Sequence, residues 1–314
     1  MGLCFSRKQS TIGSNRSIPW WRKEDCFDQD GVLAGAILFQ QNGTVAFVRS
    51  STSLRSFKSN TALARCSTST SQSLTHLLNK TNHFVLVHGA WCWYKTIAPL
   101  EHAGFKDLTG SGVHSFDTNS ITSLSQYAKP LIAFLENLAH GHKLYPSKVS
   151  KAIFVAATML TSGQSALDIF SEKTKSNDLT RQSQIFIYAN GNDKPPTAID
   201  LDKSLMKDLL FNHSPARYDV ALASVSMRPI PFSPVLEKLS LSDIKYGSIR
   251  RFYIETTEDN AIPIALQQYM ISQNPPERVF HVKGADHSPF FSKPQALHRI
   301  LVEISTVSST SIYM

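Results

Sequence analysis

The sequence predicts an α/β fold in which a mostly parallel sheet carries a small inserted cap, and three observations support it. Apolar runs of strand length, such as FVLV at 84–87 and AIFVAA at 152–157, alternate with segments of helical period. Toward the C-terminus, Ile249–Glu255 (IRRFYIE), the helix-compatible Pro263–Ser272 and Arg278–Lys283 (RVFHVK) read as one strand–helix–strand unit, the signature of neighbouring parallel strands. A chain of 314 residues with 42% hydrophobic content is also large enough to bury one α/β core plus a cap.

Residues 1–80 read as a disordered leader that addresses the protein and links it to the fold. They hold 10 Lys and Arg against 4 Asp and Glu, a net of +6 out of the chain's +8. The positive charge therefore belongs to the leader, no nucleic-acid motif accompanies it, and nucleic acid is not an expected partner. Met1-Gly2-Leu3-Cys4-Phe5-Ser6 fits the N-myristoylation pattern at Gly2, with Cys4 placed for a palmitoyl chain. Two such chains would hold the protein on the cytosolic face of a membrane. The competing reading is a plastid transit peptide, because no Asp or Glu occurs between Gly31 and Leu100 and Arg49–Ser73 is dense in Ser, Thr, Arg and Lys. The acidic cluster Glu24, Asp25, Asp28 and Asp30 runs against a simple transit peptide, so both addresses stay open. The longest apolar run outside the core, Gly31–Phe39, falls far short of the roughly 20 residues a spanning helix needs. Cys4, Cys26, Cys66 and Cys92 lack CxxC spacing, which points away from a disulfide framework or a zinc site, and no metal or cofactor is expected.

The folded domain is expected over 81–314. His83–His88 reads as a buried parallel strand entering a turn at Gly89, and Trp91–Gly104 as the helix after it. The chain then runs from Gly104-Phe105-Lys106 straight into Asp107-Leu108-Thr109-Gly110-Ser111-Gly112, leaving no apolar run for a further strand. Leu124–Leu138 has the period of an amphipathic helix, with Leu124, Tyr127, Leu131, Phe134, Leu135 and Leu138 on one face. Ala152–Met159 is a core strand. The cap is expected over Thr161–Asp243, with a helix at Ala166–Glu172, a β-rich Gln184–Tyr188, a helix at Asp202–Leu210 and a proline-rich turn at Arg228–Pro234. Its larger apolar residues, Met206, Leu210, Phe211, Met227 and Phe232, are expected chiefly to pack it onto the core. Pro294–Ile304 closes the fold as a helix.

The chemistry concentrates on two loops. If the strands ending at Glu255 and Lys283 are parallel neighbours, their C-terminal ends share one edge of the sheet, and Asp259 meets His287 there. An imidazole held in one tautomer by a carboxylate is the base half of a Ser-His-Asp system. The runs TTEDNAIP (256–263) and VKGADHSPFFSKPQAL (282–297) resemble the acid and histidine motifs of the plant methylesterase and hydroxynitrile lyase group of α/β-hydrolases, and the likeness extends from about Asn82 to Ser305. STSLR (Ser51–Arg55) resembles the leader of the extended subgroup, whose proteins are generally assigned to plastids.

The resemblance implies an α/β-hydrolase fold, Asp259 and His287 as catalytic acid and histidine, and a backbone N–H at Ala90 as an oxyanion-hole donor. It also implies hydrolysis of small plant-hormone methyl esters such as methyl indole-3-acetate, methyl jasmonate or methyl salicylate. The sequence departs from the family at three breaks. The glycine run before Ala90-Trp91 is short, and the strand before DLTGSG is missing. The central strand with its G-x-S-x-G elbow and following helix is absent between Leu138 and Ala152. The only glycines with elbow spacing, Gly31 and Gly35, flank Leu33 in the leader. No nucleophile is found, which leaves Ser111 and Cys92 as candidates. Three readings follow: an ester hydrolase, a non-catalytic small-molecule binder on the same fold, and a shortened gene or splice product of an ordinary methylesterase.

Overall fold

The structure, a computed structural model, describes residues 44–52, 80–87, 90–110, 117–137, 149–173 and 178–307. The first elements are β1 (Thr44–Thr52), β2 (Lys80–Val87), a 3-10 turn at Ala90–Trp93, α1 (Tyr94–His102), β3 (Lys106–Gly110), α2 (Leu124–Asn137) and β4 (Lys151–Val155). An insertion follows, with α3 (Ala166–Lys173), α4 (Asp178–Gln182), β5 (Gln184–Ile187), β6 (Ala198–Leu201), α5 (Met206–Leu210), α6 (Arg217–Ser226), β7 (Ile230–Pro231) and α7 (Ser233–Leu236). The chain returns to the core through β8 (Arg250–Thr256), α8 (Ile264–Gln273), β9 (Arg278–Val282), α9 (Pro289–Ser292) and α10 (Pro294–Thr306).

Among the described residues, six strands form the main sheet in the order β3-β2-β1-β4-β8-β9. β2 and β3, β4 and β8, and β8 and β9 pair in parallel, while β1 is antiparallel to both β2 and β4. The mostly parallel sheet is therefore as expected, with one reversed strand inside it. Strand alternation divides the core. Ile153, Val155, Phe252, Ile254, Phe280 and Val282 join Leu100 of α1 and Leu297, Leu301 and Ile304 of α10 in one cluster. Ala152, Phe154 and Tyr253, the intervening residues, pack with Ala128 and Leu131 of α2 in another. Both faces of β4 are thus buried, which is why its sequence is continuously apolar after Lys151.

The structure departs from the sequence reading at two places. Thr44–Thr52, which by composition belongs to the leader, lies in the middle of the sheet, because backbone groups of β2 and β4 that face a gap need ladder partners. The strand before DLTGSG was expected to be missing, but Lys106–Gly110 itself forms β3 in parallel register with His83–Val87. A preformed neighbouring ladder imposes extended backbone on a segment without strand periodicity. The rest of the leader, including Gly2, Cys4, Gly31 and Gly35, lies outside the described residues.

The insertion carries a separate antiparallel sheet, β5-β6-β7. Met206, Leu210 and Phe211 sit in the main core cluster with Met227 against it, while Phe232 packs against Ile199 and Val235 within the insertion. Packing of the cap onto the core thus accounts for the first four.

Lys151 is buried at the start of β4, and its ammonium donates to the carbonyls of Ile304 and Ser305 at 2.7 and 2.9 Å. It adds donors at the last turn of α10, where the Ile304 carbonyl also accepts from the Val307 N–H at 3.2 Å. Lys151→Met is expected to leave both carbonyls without this donor and cost about 2–4 kcal/mol, read as a lower urea midpoint with unchanged m-value.

Tyr253 is fully buried, and its hydroxyl donates to the Ala157 carbonyl at 2.6 Å. Burial, with the negative charges of Asp259 and Glu255 adding to it, pushes this phenol well above its ordinary range. The folded state thus keeps the proton more tightly than the unfolded chain. The stability this contributes is complete below about pH 10 and is lost as pH rises beyond it. Urea titrations from pH 9 to 11 are expected to show falling stability, with a shallower fall in Tyr253→Phe. Burial raises Tyr127 and Tyr246 in the same direction, so part of the slope persists.

Candidate active site

Among the described residues, β2, β3, β4, β8 and β9 point their C-terminal ends to one edge of the sheet, and the loops after β8 and β9 meet there. Asp259 and His287, expected from sequence to come together, do so: Asp259 Oδ2 lies 2.8 Å from His287 Nδ1, with both residues buried. Asp259 Oδ1 accepts from the backbone N–H groups of Ala261 and Ile262, each at 2.8 Å. Oδ2 also accepts from the Thr256 hydroxyl at 3.2 Å and from Gln267 Nε2 at 3.4 Å. Every partner of this carboxylate is a donor, the pattern that suits its ionised form. In the tautomer that donates its Nδ1–H to Asp259, the imidazole keeps a lone pair on Nε2, which is the arrangement of a general base.

Local sequence explains how the loops hold this geometry. Gly284, at φ 69, turns the chain after β9 in a conformation that favours glycine. The Gly284 N–H donates to Thr257 Oγ1 at 2.8 Å, and the Glu258 N–H to the Ala285 carbonyl at 2.9 Å, so the two loops are stitched to each other. Asp286, fully buried beside His287, accepts from the Ser288 N–H through one oxygen and from the His213 N–H and Ser214 hydroxyl through the other, all at 2.9 Å. Asn212 and Asn260 add bonds between α5's surroundings and the acid loop, to the Glu258 and Asp208 carbonyls. The insertion is therefore anchored on the same two loops that carry the dyad. A second anchor joins α6 to α1, where buried Asp219 accepts from Tyr94 Oη at 2.6 Å and Lys95 Nζ at 2.5 Å.

Sequence reasoning missed Gln267 and Asp286. Gln267 is fully buried in α8 and donates to the carbonyls of Thr256 at 3.1 Å and Ile262 at 2.7 Å while accepting from the Thr256 N–H at 3.1 Å. Its amide fixes both ends of the acid loop. The signal was a polar residue on an otherwise apolar helix face, between Leu266 and Met270. Nothing in the sequence marked Asp286 as more than a neighbour of the histidine.

The remaining candidates separate. Ala90 opens the 3-10 turn after β2, and Gly89 lies outside the described residues. Cys92 is completely buried in the main core cluster, and burial pushes its thiol well above the ordinary range. It is a core residue without the thiolate character a nucleophile needs. Ser111 lies outside the described residues. Among the described residues no group of His, Cys, Asp and Glu side chains is arranged to hold a metal ion.

No family model matches the chain. It is similar to an Arabidopsis thaliana protein described as methylesterase 11, chloroplastic, with 63% identity over 255 residues, covering 73% of this chain and 65% of that one. A second Arabidopsis thaliana protein, methylesterase 15, chloroplastic, is 52% identical over 88% of this chain and 68% of its own length. The chain thus spans about two thirds of the length of these curated relatives. Among solved structures, a methylesterase protein from Arabidopsis matches with a TM-score of 0.58 and 29% identity, over 69% of this chain and 94% of that one. Tomato methylketone synthase I in complex with 2-tridecanone matches with a TM-score of 0.61 and 28% identity, over 69% of this chain and 93% of that one.

Proposed function

Since the chain belongs to the plant methylesterases of the α/β-hydrolase superfamily, we propose that its site is that of a carboxylic-ester hydrolase for small plant-hormone methyl esters, in which Asp259 and His287 are the catalytic acid and histidine. Methyl indole-3-acetate, methyl jasmonate and methyl salicylate are the substrates to test first. The observation that carries this reading is the buried 2.8 Å contact between Asp259 Oδ2 and His287 Nδ1 at the edge where the parallel strands end. In the reaction it serves, a hydroxyl nucleophile adds to the ester carbonyl carbon while its proton passes to His287 Nε2. The tetrahedral adduct then expels methoxide, which takes that proton and leaves as methanol. Water hydrolyses the acyl group by the same route. A backbone N–H at Ala90 is the candidate to steady the oxyanion.

A specific observation favours a second reading, a non-catalytic small-molecule binder. The sequence has no G-x-S-x-G, and Cys92 is withdrawn into the core. The match to methylesterase 11 runs over 255 residues yet takes in only 73% of this chain, so it includes positions at which this chain has no residue. A shortened product of an ordinary methylesterase gene accounts for the same fact. For location, the names of both chloroplastic relatives support the plastid. Acylation at Gly2 and Cys4 rests on the N-terminal motif alone.

The dyad is tested in a chain whose strand, elbow and helix have been restored from a related methylesterase between Leu138 and Ala152. There His287→Ala is expected to lower kcat by at least about 10³-fold with KM little changed. Full activity of the His287→Ala variant would remove His287 from the mechanism.

A further inference from the structure

We propose that the fold requires Thr44–Thr52, the central strand supplied by the stretch whose composition reads as an address, to remain part of the protein. Thr44–Val48 is paired on both sides at once, with Val155–Lys151 of β4 and, from Val45, with Val87–Phe84 of β2. Arg49–Thr52 continues alone along β2 to Lys80. The sequence suits the place. TVAFVRSST holds three β-branched apolar or hydroxyl residues and a phenylalanine in its first five positions, with no Gly, Pro, Asp or Glu.

Without this segment the sheet separates into the pair β3-β2 and the triplet β4-β8-β9. A two-stranded unit is marginal by itself, and β4, buried at every residue, would face the gap with a row of unpaired backbone groups. The antiparallel direction also sets Thr52 opposite Lys80, so residues 53–79 join two points that are already neighbours. The closure entropy of such a connection grows only with the logarithm of its length, so a long one is tolerated.

The consequence for processing is specific. A cut that removed everything before residue 53 would take a core strand with it, so any address read and discarded must lie upstream of Thr44. The reversed strand also brings its N-terminal end, Thr44, to the edge that carries Asp259 and His287, opposite Val155.

Hydrogen exchange on the full-length, unmodified chain tests this. Amides of Val45–Val48 are expected to be protected at least about 10³-fold over an unstructured peptide and to match those of Ile153–Val155. Exchange of 45–48 at unstructured rates overturns the proposal, whether or not β4 is protected. A crosslinking experiment reads the register in a chain with Cys4, Cys26 and Cys66 replaced by Ser. Ala46→Cys with Ile153→Cys, which face each other, is expected to form a disulfide under mild oxidation. Phe47→Cys with Ile153→Cys is not, since a one-residue slip turns the side chains to opposite faces. Equal yields from the two pairs, or none from either, overturns the register.

Discussion

Purified as its sequence stands, the chain is expected to hydrolyse methyl indole-3-acetate, methyl jasmonate and methyl salicylate at least about 10²–10³-fold more slowly than the same chain with strand, elbow and helix restored. Covalent acyl transfer needs an activated hydroxyl or thiol within reach of His287 Nε2, and the elbow that would present it is absent from the sequence. The strand occupying the central position runs the opposite way, so the strand-to-helix turn that makes an elbow does not occur at its end on the dyad's edge. A histidine–aspartate pair alone can activate only water, and water lacks the positional advantage of a held nucleophile. If the short run before Ala90 holds that backbone N–H away from the oxyanion, a further factor of about 10²–10³ in kcat, or roughly 3–4 kcal/mol, is expected to be lost. The measurement is methanol release by both chains over the three esters. Comparable rates, abolished here by His287→Ala, would show that a nucleophile exists, and Ser111 would be the residue to replace next.

The largest expected loss of stability comes from Asp259→Ala. The carboxylate satisfies two backbone N–H groups, a threonine hydroxyl and a histidine ring in a fully buried setting, and alanine leaves all of them without this acceptor. At about 1–3 kcal/mol for each buried group left unsatisfied, partly recovered by relaxation, the cost is on the order of 3–5 kcal/mol. That corresponds to a fall in Tm on the order of 10 °C for a domain of this size. Asp259→Asn separates stability from chemistry. Its carbonyl oxygen can keep the Ala261 and Ile262 bonds, while its amide meets His287 Nδ1 as a donor and drives the ring proton to Nε2. The asparagine variant is therefore expected to lose much less stability than the alanine variant. In the restored chain it should still lose activity by about 10⁴-fold, because the wrong tautomer has no base at Nε2. Equal Tm losses in the two variants would show that the backbone bonds at Ala261 and Ile262 contribute little.

Much of the C-terminal half was legible in the sequence. β8, α8, β9 and α10 fall within a few residues of the periodic runs that predicted them, because each is a local segment whose apolar spacing and flanking Gly, Pro or charged residues point the same way. Asp259 and His287 pair on sequence grounds, since two adjacent parallel strands deliver their following loops to one edge. The cap was less legible. Its β5 and α3 were expected, but β6 and α6 were not, as four- and ten-residue elements of mixed polarity carry little period of their own.

By itself, then, the sequence determined the α/β class, the parallel order at the β8–β9 end, the acid–histidine pair and the absence of a G-x-S-x-G elbow. Tertiary structure alone decided that Lys106–Gly110 is a strand, that Thr44–Thr52 fills the centre of the sheet, that Cys92 is core, and that Lys151, Gln267 and Asp286 are buried with their partners. The physical reason is shared by all of these. Local propensity says what conformation a segment tolerates, whereas strand pairing and the burial of a polar group depend on backbone donors and acceptors contributed from distant parts of the chain, which have no signature at the residue itself.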